Sequence, residues 1–125
     1  MELNQVTVPC TDYAASVEFY RKLGLAQIVD SPPRYARFES SAGSTLSIHA
    51  ADGVAPIDGV TIYFEVPDVD AAVASIRARG LEFDSEPVNQ QWLWREAYLR
   101  DPANNRICIY HAGENRRNPP WRIGA

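Results

Sequence analysis

With 125 residues, 46% of them hydrophobic and 22% charged, the chain is long enough for one domain with a sizeable core. Its net charge of −4 offers nucleic acid or an anionic membrane no attracting field. No apolar run approaches the roughly 20 residues of a membrane span. Two cysteines make no disulfide framework, and MELNQ lacks the basic and apolar start of a secretion signal, so a cytoplasmic protein with reduced thiols is expected.

Taken in order, Leu3 to Val8 alternates as a strand, with Val6 and Val8 on one face and Gln5 and Thr7 on the other. Thr11 or Asp12 then caps a helix whose stripe is Ala14, Val17, Tyr20 and Leu23, stopped by Gly24. Three short strands follow at about Ala26–Val29, Tyr35–Glu39 and Thr45–His49. The segment Ala51–Asp58, with its glycine and prolines, reads as a linker.

The opening stretch then recurs. Gln5–Leu25 aligns without a gap on Thr61–Leu81, matching Asp12 with Asp68, Val17 with Val73, Arg21 with Arg77 and Gly24 with Gly80. The second copy predicts a strand over Val60–Val66 and a helix over Val69–Arg79 with Ala72, Val73 and Ile76 inward. Strands are expected near Leu81–Phe83, over Trp92–Arg100 and over Arg106–Tyr110, with the turn Asp101–Asn105 before the last. The order is βαβββ, twice, within one domain of about residues 1–112: module one about 1–50, module two about 59–112. Residues 113–125 form a tail that is read as non-helical, with an extended Pro119-Pro120 run and with Trp121 docked on its own domain or a partner chain.

One parity of these strands is aliphatic: Val6/Val8, Ala36/Phe38, Leu46/Ile48, Ile62/Phe64, Ala97/Leu99 and Ile107/Ile109. That face should lie under the helices. The other carries Gln5/Thr7, Tyr35/Arg37, Ser47/His49, Thr61/Tyr63/Glu65, Trp92/Trp94/Glu96/Tyr98 and Cys108/Tyr110. Aromatic and small polar groups predominate there, as expected of a partly apolar ligand pocket on the concave side of a curved sheet. The competing reading packs those aromatics in a dimer interface or against the tail.

These residues resemble the vicinal oxygen chelate superfamily of glyoxalases, extradiol dioxygenases and bleomycin-resistance proteins. Asp12, Ser16, Phe19-Tyr20 and Leu23-Gly24 are similar to its first-helix pattern, one residue short before the Leu-Gly pair. Arg95-Glu96 followed by Asp101-Pro102 is similar to a pattern of the bleomycin-resistance-like branch, with Asn104 where a glycine is usual. The resemblance implies an α+β fold of two βαβββ modules, with curved mixed sheets around a concave pocket. It also implies a homodimer. Its metal-using members place ligands at positions that correspond here to Gln5, Ser47, Thr61 and Cys108. Neutral hydroxyls bind divalent ions weakly beside carboxylate or imidazole. The expected reading is therefore a protein without a resident cofactor that binds an aromatic or amphipathic small molecule through Gln5, Ser47, His49, Thr61, Tyr63, Trp92, Trp94, Tyr98 and Cys108.

The alternative is a lyase, isomerase or dioxygenase using one divalent metal ion in a rearranged site of Gln5, His49 and Glu65, with Glu65, Glu96 and His49 as acid–base candidates. Against it, His49 reads as a rim histidine bonded to a neighbour and Glu65 as the partner of a nearby arginine. Glu96 fits structural pairing as well as acid–base work. A third reading is a non-catalytic interaction module that uses the tail.

Overall fold

The computed structural model describes residues 3–51 and 60–124. Two four-stranded mixed sheets carry one helix each. In the first, β1 (Gln5–Cys10) pairs in parallel with β4 (Thr45–Ala50). Antiparallel neighbours β3 (Tyr35–Glu39) and β2 (Ala26–Ser31) complete the order β1-β4-β3-β2. The second repeats the plan as β5-β8-β7-β6, from β5 (Thr61–Glu65), β6 (Val88–Asn89), β7 (Arg95–Arg100) and β8 (Arg106–His111). Helices α1 (Tyr13–Leu23) and α2 (Val69–Ala78) follow the first strand of each module.

Local chemistry explains why each helix begins and ends where it does. Asp12 accepts from the Ala15 N–H at 3.0 Å and Asp68 from the Ala71 N–H at 3.1 Å, satisfying N–H groups that lack a helical partner. Gly24 closes α1 at φ 117°, a left-handed conformation that a side chain disfavours, and its N–H returns to the Arg21 carbonyl.

The aliphatic strand faces point into one core that both modules share. It joins Val8, Tyr20, Phe38 and Ile48 to Ile62, Ile76, Leu99 and Ile107. Val6 is the exception, at 38% exposed. Polar ties cross the same junction. The Tyr20 hydroxyl donates to Asp101 at 2.6 Å, Asn105 Nδ2 donates to the Pro9 carbonyl at 2.9 Å, and Arg79 donates to the α1 carbonyls of Lys22 and Leu23.

Several expectations need correction. The first strand lies at Gln5–Cys10, later than Leu3–Val8, since it matches β4 residue for residue up to Ala50. Ala14 is exposed; the buried stripe of α1 is Ser16, Phe19, Tyr20 and Leu23. Leu81–Phe83 forms no strand, because Leu81 and Phe83 pack onto the core while the ladder to β7 is made by Val88 and Asn89. Trp92 and Trp94 precede β7 rather than belonging to it. A turn with Leu93 at φ 69° interrupts the alternation, held by Leu93 N–H to Gln90 O and Gln90 N–H to Trp94 O.

The tail also differs from its reading. Gly113–Arg116 forms a 3-10 turn, and the Arg122 N–H bonds back to Pro119, so Pro119-Pro120 turns instead of extending. Trp121 stays 56% exposed on this chain. The predicted linker falls, after Ala51, outside the described residues.

Candidate functional site

The edge strands β1 and β5 flank a cavity of about 690 Å³, within the size range of small-molecule sites. Leu3, Leu25, Leu46 and Phe64 give it apolar wall; Tyr63 and Tyr110 add rings, and Glu65 and Arg116 add opposite charges. Of the residues predicted from sequence, Gln5, Thr61, Tyr63 and Glu65 meet in this cavity. Ser47, His49, Trp92, Trp94, Tyr98 and Cys108 stand outside its wall, in side-chain networks on the non-helical faces of the two sheets.

The second sheet's face is aromatic and dense. Trp94 stacks on Tyr110 with centroids 4.5 Å apart, and Tyr63 meets both rings edge-on at 6.0 and 5.8 Å. Tyr63, on an edge strand, is 51% exposed, so this cluster presents a ring to the cavity. The Trp94 indole N–H reaches the Asn115 carbonyl at 3.4 Å and so ties the cluster to the tail. Glu65 holds the tail from below, accepting from the Ala112 and Gly113 N–H groups at 2.8 and 3.0 Å, with Arg116 at 3.6 Å. Burial opposes ionisation of Glu65, yet these N–H groups and then the His111 and Arg116 charges hold its carboxyl below the ordinary range.

Further along the same face Glu96 is buried, at 3% exposed, and takes one donor on each oxygen: Trp92 Nε1 at 3.1 Å and the Tyr98 hydroxyl at 2.9 Å. Arg106 lies over the Tyr98 ring at 4.1 Å. Cys108 is fully buried against Tyr98, and burial first, then the Glu96 charge, pushes its thiol up to about 12. Such a thiol is a poor nucleophile at neutral pH.

The first sheet's face is polar and more open. The Tyr35 and Ser47 hydroxyls share a 2.7 Å hydrogen bond, Arg37 Nε donates to Tyr35 at 2.8 Å, and Gln5 Nε2 donates to Ser47 at 3.4 Å. The Ser47 hydrogen bond, followed by Arg37, draws the Tyr35 hydroxyl below its ordinary pKa. His49 is exposed at the strand end with Nδ1 3.0 Å from the Ala50 carbonyl. Tyr35, Arg37, Tyr110 and Arg116 are the site residues that the sequence reading did not single out. Period-2 alternation places the first three on the right faces, but Arg116 lies in the tail, where no periodicity points to it.

A model of the glyoxalase/bleomycin resistance protein/dioxygenase superfamily matches residues 2–109. The chain belongs to this superfamily. Among solved structures, a glyoxalase/bleomycin resistance protein/dioxygenase from Nocardioides aligns over 99% of this chain and 90% of its own, at 24% identity and TM-score 0.81. A lactoylglutathione lyase from Agrobacterium tumefaciens aligns over 94% and 96%, at 16% identity and TM-score 0.75. A bleomycin-binding protein complexed with bleomycin aligns over 89% and 98%, at 17% identity and TM-score 0.73. At these identities the likeness concerns the fold. No curated protein matches the chain.

At the positions that correspond to the superfamily's metal ligands, the donors present are already engaged. Gln5 Oε1 accepts from Thr45 and its amide nitrogen is bonded to Ser47. Ser47 is committed to Tyr35, and the Cys108 thiol resists ionisation. The rearranged set does not converge either. Gln5 pairs with Thr45 while His49 lies four residues further along β4, about 13 Å at 3.3 Å per residue. Glu65 is engaged by the tail. Among the described residues no group of three or more His, Cys, Asp or Glu gathers at metal-binding range. These donors do not suit a hard divalent ion, which needs anionic ligands to offset the loss of its water.

Proposed function

We propose that the chain is a small-molecule binding protein that accommodates an aromatic or amphipathic ligand without a resident metal. The supporting observation is the β1–β5 cavity, in which a half-exposed Tyr63 backed by Trp94 and Tyr110 faces an aliphatic wall. Rings so placed offer stacking area to a flat ligand, while Glu65 and Arg116 at the rim can orient its polar end. Two chains pair in this reading, since β1 and β5 are uncovered edges among the described residues. Light scattering that gives a 14 kDa particle at high micromolar concentration would refute the pairing.

The binding test uses N-phenyl-1-naphthylamine, a neutral aromatic probe, with bleomycin as a second ligand because a structural neighbour holds it. Saturable binding of the neutral probe, weakened tenfold or more by Tyr63→Ala in a protein that still unfolds cooperatively, is expected. No saturable binding, or binding indifferent to Tyr63, overturns the reading.

A further inference from the structure

The non-helical face of the first sheet holds a guanidinium that no described carboxylate neutralises. Arg77, Arg95, Arg100 and Arg116 each pair with an acid: Glu86, Asp70, Asp84 and Glu65. Arg37 instead spends its Nε–H on the Tyr35 hydroxyl and leans over that ring, 5.4 Å from the centroid. Its cross-strand neighbours are Ser47 on β4 and Val29 on β2; those of Tyr35 are His49 and Ser31. The acid nearest along the face is Glu39, exposed at the end of β3 opposite Thr45.

The duplication sharpens the contrast. Register on the last two strands relates Tyr35 to Glu96, Arg37 to Tyr98, Ser47 to Cys108 and His49 to Tyr110. Each module thus sets a tyrosine and an ionised residue two apart on this strand, but the two positions are exchanged and the ionised group has opposite sign. In the second module the carboxylate is buried and has a donor on each oxygen. In the first the guanidinium is half-buried, with its terminal N–H groups still to be used. A partly desolvated guanidinium is best satisfied by an oxyanion that matches its planar fork.

We propose that Arg37 forms a subsite for an oxyanion group of the ligand. The proposal rests on the binding reading above and adds the ligand's chemical class: an aromatic or amphipathic molecule that carries a carboxylate or phosphate. Tyr35 and Ser47 position the guanidinium; Gln5, bonded to Ser47 and lining the cavity, links the subsite to it.

The experiment is an amide NMR titration with benzoate, benzyl alcohol and inorganic phosphate at low salt. It compares the native chain with Arg37→Gln, Arg37→Lys and the tail control Arg122→Gln. Benzoate is expected to shift the amides of Arg37, Ser47 and His49 saturably, and benzyl alcohol at least tenfold more weakly. Arg37→Gln should weaken benzoate tenfold or more, with Arg37→Lys between and Arg122→Gln unchanged. Phosphate that displaces benzoate from the same amides supports a general oxyanion site; benzoate that resists phosphate supports a carboxylate site. Equal binding of benzoate and benzyl alcohol, shifts confined to the second sheet, or Arg37→Gln behaving like Arg122→Gln overturns the proposal. If Arg37→Gln does not fold, Arg37→Lys carries the same test, because it keeps the charge and removes the fork. Saturation by the neutral naphthylamine probe with no preference for benzoate would sink the subsite alone, leaving the cavity reading intact.

Discussion

Replacing Tyr20 by Phe should destabilise the protein far more than one hydroxyl on a ring usually does. The Tyr20 ring is fully buried between α1 and the first sheet, and its hydroxyl donates to Asp101, in the β7–β8 turn of the other module, at 2.6 Å. Asp101 is itself buried and takes three further donors: the Ala103 and Asn105 N–H groups and Asn105 Nδ2. Phenylalanine fills the same space, so no cavity forms. What is lost is one charge-assisted hydrogen bond, about 1.5–3 kcal/mol. Unfolding entropy near 2.1 cal/mol/K per residue gives roughly 0.26 kcal/mol/K for this chain, and hence a fall in Tm of about 6–11 °C. Tyr13→Phe is the comparison: its hydroxyl also meets an aspartate, Asp30, but in a solvent-exposed hydrogen bond, so a change within about 0.5 kcal/mol is expected. Paired thermal and urea melts decide it. A Tyr20→Phe loss below 0.5 kcal/mol would refute the view that this contact locks the modules together.

Trp94→Ala should unfold cooperatively but about 2 kcal/mol lower, having lost a ring stack on Tyr110 and the tie to Asn115, and should loosen the tail in limited proteolysis. The Glu65 carboxyl is depressed in the folded state, so the unfolded chain binds more protons in the acid range; stability from Glu65 is present above the ordinary glutamate pKa near 4.3 and is lost as pH falls through the folded value. Melts of Glu65→Gln should therefore show a shallower acid slope than the native chain, and identical slopes would contradict it. Native protein at pH 8 should resist a thiol reagent at both Cys10 and Cys108, which are buried with raised pKa values, and release two thiols on unfolding. Protein purified without chelator should carry no stoichiometric divalent metal by elemental analysis; one ion per chain, lost in His49→Ala, would reinstate the metal-enzyme reading.

The duplicated frame was legible because its signals are local. Asp12 and Asp68 cap their helices from within one turn, and Gly24 and Gly80 take left-handed backbone wherever the sheets lie. Strand faces were legible for the same reason: alternation needs no partner. Failures began where a partner decides. The paired part of β1 follows from β4, and Leu81–Phe83 joins the core instead of a ladder. Trp92 and Trp94 read as strand because nothing in Gln90–Trp94 announces a leucine with positive φ. In the site, alternation alone puts Tyr35 and Arg37 on the face they share with Ser47. Their link to Ser47 needs the β3–β4 register, which places Arg37 opposite Ser47.

That register also explains why the superfamily's ligand positions can lose their metal donors without leaving holes. Gln5 and Ser47 satisfy one another, Tyr35 satisfies Ser47, and Arg37 satisfies Tyr35, so the first module's polar face is held by a chain of neutral donors ending in a cation. In the second module Cys108 lies beside Tyr98, Tyr98 donates to Glu96, and Glu96 takes a second donor from Trp92, so that chain ends in an anion. A metal ion in this fold would need lone pairs aimed at one point; here they run along each sheet from strand to strand. In the proposed reading, a ligand meets what these networks leave over: the Arg37 guanidinium at the end of the first, and the Tyr63 ring, which packs on Trp94 and Tyr110 outside the second.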